Sequence, residues 1–187
     1  LVVDASPTLT VKADPAAAEI RGRVVLPRVE AWVQRMPEGV VRESPDLVLA
    51  GREERAAAGY RVRTDVEVVL GKKVHLEGMG FSAGLAGRLR LRGNGSDPIA
   101  AFGEVDIKEG RYTAYGQDLR ITRGRLTFNG PLDDPGLDVR ASRSAGSYRA
   151  GLELTGTLGD PRSRVFSVPA LSESDALSLL LTGKRLS

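Results

Sequence analysis

Residues 81–92 read Phe-Ser-Ala-Gly-Leu-Ala-Gly-Arg-Leu-Arg-Leu-Arg, and their period is two. Phe81, Ala83, Leu85, Leu89 and Leu91 fall on one side and Arg88, Arg90 and Arg92 on the other. This is the pattern of a β-strand with one buried and one wet face. At roughly 3.3 Å per residue the segment reaches about 40 Å, well beyond the usual five or six residues.

The same alternation extends from about residue 64 to 168 and reads as a run of antiparallel strands. Val66, Val68 and Leu70 alternate with Asp65 and Glu67; after Gly71-Lys72-Lys73, Val74 and Leu76 alternate with His75 and Glu77, which predicts a hairpin with its turn at 71–73. Further strands are expected around Val105/Ile107, Leu119/Ile121, Leu126/Phe128, Leu137/Val139/Ala141, Leu152/Leu154/Leu158 and, less regularly, 162–168. Upstream, Leu9/Val11, Ile20/Val24 and the Gly22 to Pro27 stretch suit strands, while Trp32-Val33, between Pro27 and Pro37, fits strand, helical turn or loop. Residues 51–59 lose the alternation and are expected to form a mobile linker, with a short helix as the alternative. At the other end the period changes. Ser172 with Asp175 three positions on is a variant capping box, Leu177, Leu180 and Leu181 share a helical face, and Gly183 stands where a C-cap belongs, so a helix is expected over 173–182. So short a helix must dock on something, and the end of the sheet is the natural place.

The strands are punctuated by a recurring device. Leu91-Arg92-Gly93-x-x-x-Asp97-Pro98, Phe128-Asn129-Gly130-x-x-x-Asp134-Pro135 and Leu154-Thr155-Gly156-x-x-x-Asp160-Pro161 share one pattern. Gly supplies the positive φ of a turn, Asp accepts from backbone amides two residues on, and Pro cannot continue a central ladder. The copies lie 37 and 26 residues apart, so this is a turn device and not a strict repeat.

Composition narrows the chemistry. The chain has 187 residues, 41% hydrophobic, enough for one sizeable core; one domain is the default and two small ones the alternative. Gly is frequent at 22 and aromatics make up only 5%, which argues against a helical bundle. There is no Cys, removing disulfides, thiol catalysis and Cys-ligated metals, and His75 is the single histidine. The net charge is +3 at a pI near 9.4, with acidic residues interspersed throughout, a weak footprint for nucleic acid. No apolar run reaches 18 residues and no signal-peptide pattern follows Leu1, so the chain reads as a fragment whose address label lies outside it.

Few residues invite catalysis. His75, Ser82 and Asp65 are the parts of a triad, but no nucleophile elbow surrounds any Ser and His75 falls on a polar strand face, where a solvated role is expected. Asp133, Asp134 and Asp138 lack the alternating ligands of a calcium loop and read as turn residues. Arg88, Arg90 and Arg92 suit phosphates or plain solvation of a wet face, the latter favoured; Gly78-Met79-Gly80 reads as a turn and not as a phosphate loop. The apolar faces, without long helices to cover them, must close as a sandwich, curl into a barrel, or fold into a trough with a partly open lining.

One stretch resembles a known family: Gly110-Arg111-Tyr112-x-x-Tyr115-Gly116-Gln117-x-Leu119-x-Ile121-x-Arg123-Gly124-x-Leu126-x-Phe128-x-Gly130-Pro131-x-Asp133-Asp134-Pro135-x-Leu137-Asp138 is similar to the signature of the TamB C-terminal domain. Gly156-Thr157-x-x-x-Asp160-Pro161 with Phe166-Ser167-x-Pro169-x-Leu171-Ser172 and Leu179-Leu180-x-Thr182-Gly183 resembles it too, as does Leu70-Gly71-Lys72-Lys73-Val74-x-Leu76-x-Gly78-x-Gly80-Phe81. The resemblance covers residues 60–185 well and 1–50 loosely. It implies an all-β fold: an elongated antiparallel sheet curled into a U-shaped trough, or β-taco, with an apolar interior, plus a short C-terminal helix. Residues 1–50 are then N-terminal strands of the trough, 51–59 a linker, and 60–187 the TamB-type β domain.

The resemblance further implies a periplasmic protein of the Gram-negative envelope, anchored in the inner membrane and meeting an outer-membrane barrel of the Omp85 class, of TamA or BamA type, through parts expected to lie outside this fragment. Two jobs go with it, neither enzymatic nor cofactor-dependent. One is conduction of phospholipid acyl chains between the membranes; the other is assembly of outer-membrane β-barrel proteins and autotransporters from unfolded strands. In this reading Val66, Val68, Leu85, Leu89, Leu91, Val105, Ile107, Leu126, Phe128, Val139, Leu152 and Leu154 line the hydrophobic groove. The rival is a structural scaffold or adhesin-like domain with a closed β-sandwich core, and a hydrolase using His75 is a distant third.

Overall fold

The computed structural model describes residues 1–32, 61–114 and 116–184. Nine strands precede one helix: β1 (Val2–Ala13), β2 (Ala17–Trp32), β3 (Arg61–Gly78), β4 (Phe81–Gly93), β5 (Ala100–Ala114), β6 (Gln117–Pro131), β7 (Gly136–Ala145), β8 (Tyr148–Gly156), β9 (Pro161–Val168) and α1 (Glu173–Thr182). The strands form a single open sheet in chain order, curled into a trough. No second sheet faces it among the described residues, which form an open sheet and not a closed barrel.

The period-two pattern sorts side chains onto two faces, and register aligns the sorting from strand to strand. Val66 and Val68 of β3 stand opposite Leu91 and Leu89 of β4, while Asp65 and Glu67 stand opposite Arg92 and Arg90. Leu85 then meets Ile107, Val105 meets Leu126, and Val139 meets Leu154.

Two features depart from the sequence reading. First, β2 and β3 pair in parallel, while every other pair is antiparallel. A parallel neighbour needs a connection of a dozen or more residues returning to the same end, and residues 33–60 separate the two strands. The expected 51–59 linker and the Val33 to Pro37 segment lie outside the described residues. Second, Gly71-Lys72-Lys73 is not a turn. β3 runs through it, and the reversal comes at Met79-Gly80, with φ of 53° and 82°, the left-handed pair that a two-residue hairpin loop requires.

Residues 71–73 instead form a bulge, and its cause is a proline in the neighbouring strand. Pro27 cannot donate to a ladder, so the β2–β3 register slips between Leu26 and Arg28, and a Cβ on Gly71 would lie 2.8 Å from the Pro27 Cα. Register shifts recur at Asp4/Ser6, Leu70/His75, Ser82/Gly84 and Ile121/Arg123. Bulges bend strands and increase their twist. Set side by side in successive strands, they provide the crease along which this sheet curls. Close backbone approach helps: Gly87 has φ of 153°, and a Cβ there would stand 2.2 Å from the Glu104 carbonyl oxygen.

Register gathers the three Gly-x3-Asp-Pro turns at one end of the sheet, joined there by a fourth turn, Asp14-Pro15. Their capping differs from the expected scheme. Asp14 Oδ1 does accept from the Ala16 and Ala17 amides, at 2.7 and 2.8 Å. In the first copy Asn94 takes this role, accepting from Ser96 and Asp97 at 2.9 Å. Asp134 leaves its own turn and accepts from the Gly159 amide at 2.7 Å, tying the second turn to the third.

At the opposite end, α1 lies on the apolar face of the last strands. Ser172 Oγ accepts from the Asp175 amide at 3.1 Å, and left-handed Gly183 (φ 75°) returns its amide to the Leu179 carbonyl at 3.0 Å. Ala176, Leu179 and Leu180 are buried, the leucines clustering with Leu119 and Ala150, with Tyr112, Tyr148 and Leu152 around them. Each buried leucine contributes about 1.5–3 kcal/mol. Arg143 donates to the Leu180 carbonyl at 3.3 Å, a cation at the negative end of the helix.

Candidate functional site

The twelve residues expected to line a groove all fall on one face. Reading across the strands, Val68–Leu89–Gly103–Phe128 form one row and Gly87–Val105–Leu126–Leu137 another. Large side chains thus sit across from glycines, which keeps the face level. Gly124 lies under Ile107 so closely that a Cβ would meet the Ile107 Cβ at 2.6 Å. Of the twelve, Val66 and Val105 are buried and the others half-exposed, and no large side chain anywhere in the described structure is fully buried.

The face is wider than the sequence reading placed it. Ile20, Val24 and Leu26 of β2 continue it beyond Val66 and Val68, and Leu9 and Val11 of β1 carry it to the edge. Their alternation was visible in residues 9–26, but the parallel pairing that puts them on this face was not. At the other end α1 covers the surface around Leu119, Ala150 and Leu152. Among the described residues nothing lies over the rest of this face, and the helix closes only the end of β6–β9 around Leu119, Ala150 and Leu152.

The outer face is a lattice of ion pairs. Arg90 forks onto both Asp65 oxygens at 2.6 and 2.7 Å, Arg92 approaches Asp65 at 3.9 Å, and Arg88 reaches Glu67 at 3.2 Å. The Arg90 hydrogen bond, with the charges of Arg90, Arg92 and Arg21, holds the Asp65 carboxyl below its usual range. Asp106 is lowered by Arg125 and then by Lys108, and Glu153 by Arg164 and Arg140. The Arg140 guanidinium also stacks 3.9 Å from the Phe166 ring centroid. The β4 arginines are thus satisfied within the sheet, as the solvation reading expects.

Of the imagined triad, the structure brings two parts together and not the third. His75 Nε2 and Ser82 Oγ are 3.1 Å apart on the exposed face, whereas Asp65 lies ten residues away along β3 and is held by Arg90. Asp133, Asp134 and Asp138 do not converge: Asp134 caps the neighbouring turn and Asp138 pairs with Arg123 at 3.2 Å. Among the described residues no three potential metal ligands cluster, and no helix is long and apolar enough to cross a membrane.

Comparison with known proteins matches this architecture to one family. The model of the TamB C-terminal domain matches residues 2–187, including the N-terminal strands whose resemblance was loose. A curated relative, the translocation and assembly module subunit TamB of Haemophilus influenzae, is 29% identical over 199 residues, which cover 97% of this chain. The chain spans about 15% of that relative's length. With an open sheet, one apolar face and a family match running from its second residue to its last, this chain belongs to the TamB C-terminal domain family.

Proposed function

We propose that this chain is a non-enzymatic module of Gram-negative envelope biogenesis whose apolar face seats phospholipid acyl chains in transit between the inner and outer membranes. The observation that carries this reading is a continuous apolar surface across the strands, partly exposed at ten of the twelve lining positions, with no opposing layer over β1–β5 among the described residues. Burying methylene groups there gains about 0.8 kcal/mol each, so half of a sixteen-carbon tail gains about 6 kcal/mol. The reading places the module in the periplasm, within a longer protein anchored in the inner membrane and working with an outer-membrane barrel of the Omp85 class.

A second reading is assembly of outer-membrane proteins by pairing of client strands. It is favoured by β1 and β9, each paired on one side only among the described residues, and by the name of the Haemophilus influenzae relative.

Native mass spectrometry with lipid extraction separates the two. The chain purified from a bacterial envelope is expected to carry phospholipid that Leu89→Arg and Val139→Asp lose while remaining folded, with Arg88→Gln and Arg92→Gln unchanged. A lipid-free chain whose edges cross-link to unfolded outer-membrane strands moves the assignment to assembly. Folded lining variants that keep all bound lipid refute the groove.

A further inference from the structure

The outer face carries a second, chemically different feature, over β5–β8. Arg111, Arg120 and Arg149 surround a depression of about 490 Å³ whose floor includes Ser142 and Ser144, the former buried. Thr122 is at its edge, its hydroxyl donating to the Arg140 carbonyl at 3.2 Å. One row across the strands runs Arg111–Arg120–Ser142–Gly151, and Arg149 stands opposite Ser144 in the next. Two guanidiniums are therefore direct cross-strand partners, an arrangement that costs energy unless an anion lies between them.

At several other places this sheet supplies that anion itself. Arg123 and Arg140 are also direct partners, but Asp138 meets one at 3.2 Å and Glu153 the other at 3.5 Å. In the depression around Arg21, Arg63 and Arg92, three carboxylates (Glu19, Asp65 and Asp97) match three guanidiniums. Around Lys108, Arg123 and Arg125 the balance is again three to three, with Asp106, Glu109 and Asp138. Among the described residues lining the depression over β5–β8, the one carboxylate is Asp118, 3.5 Å from Arg111 and 59% exposed. Arg120 and Arg149 make no ion pair with any described residue, and Arg143, which also lines the depression, is committed to the Leu180 carbonyl.

We propose that this depression is a binding site for a phosphoryl group, held by the Arg111, Arg120 and Arg149 guanidiniums with hydroxyl donors from Ser142 and Ser144. The chemistry fits on three counts. Guanidinium forks match phosphate oxygens bidentately. The two serines add neutral donors at the floor. The bound anion supplies the counter-charge that separates Arg111 from Arg120. The site lies on the face opposite the apolar lining, so it does not hold the headgroup of a lipid whose tails rest there, and it stands or falls independently of the groove. Its ligand is the headgroup phosphate of a membrane surface or a soluble phosphoryl compound.

Titration of the ¹⁵N-labelled chain with inorganic phosphate, against sodium chloride at equal ionic strength, tests this. Saturable shifts are expected at Arg120, Ser142 and Arg149. The Arg120→Gln/Arg149→Gln pair should weaken binding about tenfold or more, Arg120→Lys should restore part of it to an Arg120→Gln single variant, and Asp118→Asn should tighten it. Arg88→Gln, outside the site, should leave it unchanged. Shifts that merely follow ionic strength, or a folded double variant that binds phosphate as well as the parent, overturn the proposal. Flotation with phosphatidylcholine vesicles, with and without phosphatidylglycerol, identifies the source. Binding dependent on phosphatidylglycerol and lost in the double variant assigns a headgroup, and phosphate binding without flotation assigns a soluble ligand.

Discussion

Asp65 and Glu153 each accept from an arginine fork and Asp106 from Arg125 Nε, and each has its pKa held below the ordinary value by that bond first and by neighbouring cations after it. Their ordinary values are 3.8, 3.8 and 4.5, so the stabilisation they provide is complete above this range and is lost as pH falls through the lower folded values. The urea midpoint is therefore expected to be flat between about pH 7 and 5 and to fall below about pH 4. Combining Asp65→Asn, Asp106→Asn and Glu153→Gln should flatten that acid limb. At Gly87 the steric demand is sharper: alanine there must push its Cβ from 2.2 Å off the Glu104 carbonyl while holding an unfavourable φ. A loss on the order of 3 kcal/mol is expected from chemical denaturation. Which face each of these residues occupies was legible from alternation alone. Partners were less so, as Asp134 illustrates, because its acceptor role is completed by Gly159 of another turn.

The helix is the element whose sequence signals were most complete, since capping, periodicity and termination are all local. Ser172→Ala should cost about 1 kcal/mol. Leu180→Ala, emptying a seat against the β6–β8 surface, should cost about 2–4 kcal/mol, most of it in docking. Hydrogen exchange checks this: Ala176–Leu181 amides should lose protection while β3–β5 amides keep theirs. The strand β3 shows the opposite case. Gly71-Lys72-Lys73 has the composition of a turn, and only the abutting Pro27 of β2, brought alongside by a long connection, makes it a bulge within an unbroken strand.

At the scale of the whole molecule, a sheet with no second sheet facing it among the described residues leaves much of its apolar face accessible there, and its edge strands β1 and β9 paired on one side only. The native chain is expected to bind a hydrophobic dye before any unfolding, and a lysophospholipid should displace it; a native state silent toward both would mean that the face is covered. Sedimentation should show concentration-dependent association that Val11→Lys on β1 reduces, since a charged edge disfavours strand addition. The sequence alone determined most of the strands, their two-faced character, the helix with its caps and the apolar face of the central strands, because these depend on periods of two and 3.6 and on residues within one turn of each other. Tertiary structure alone decided the parallel β2–β3 pairing, the extension of the apolar face to β1, the line of bulges that curls the sheet and the gathering of arginines over β5–β8 that outnumber the carboxylates among the described residues. Each of these arises from which strands become neighbours and in what register, a choice made by contacts between residues distant in the chain.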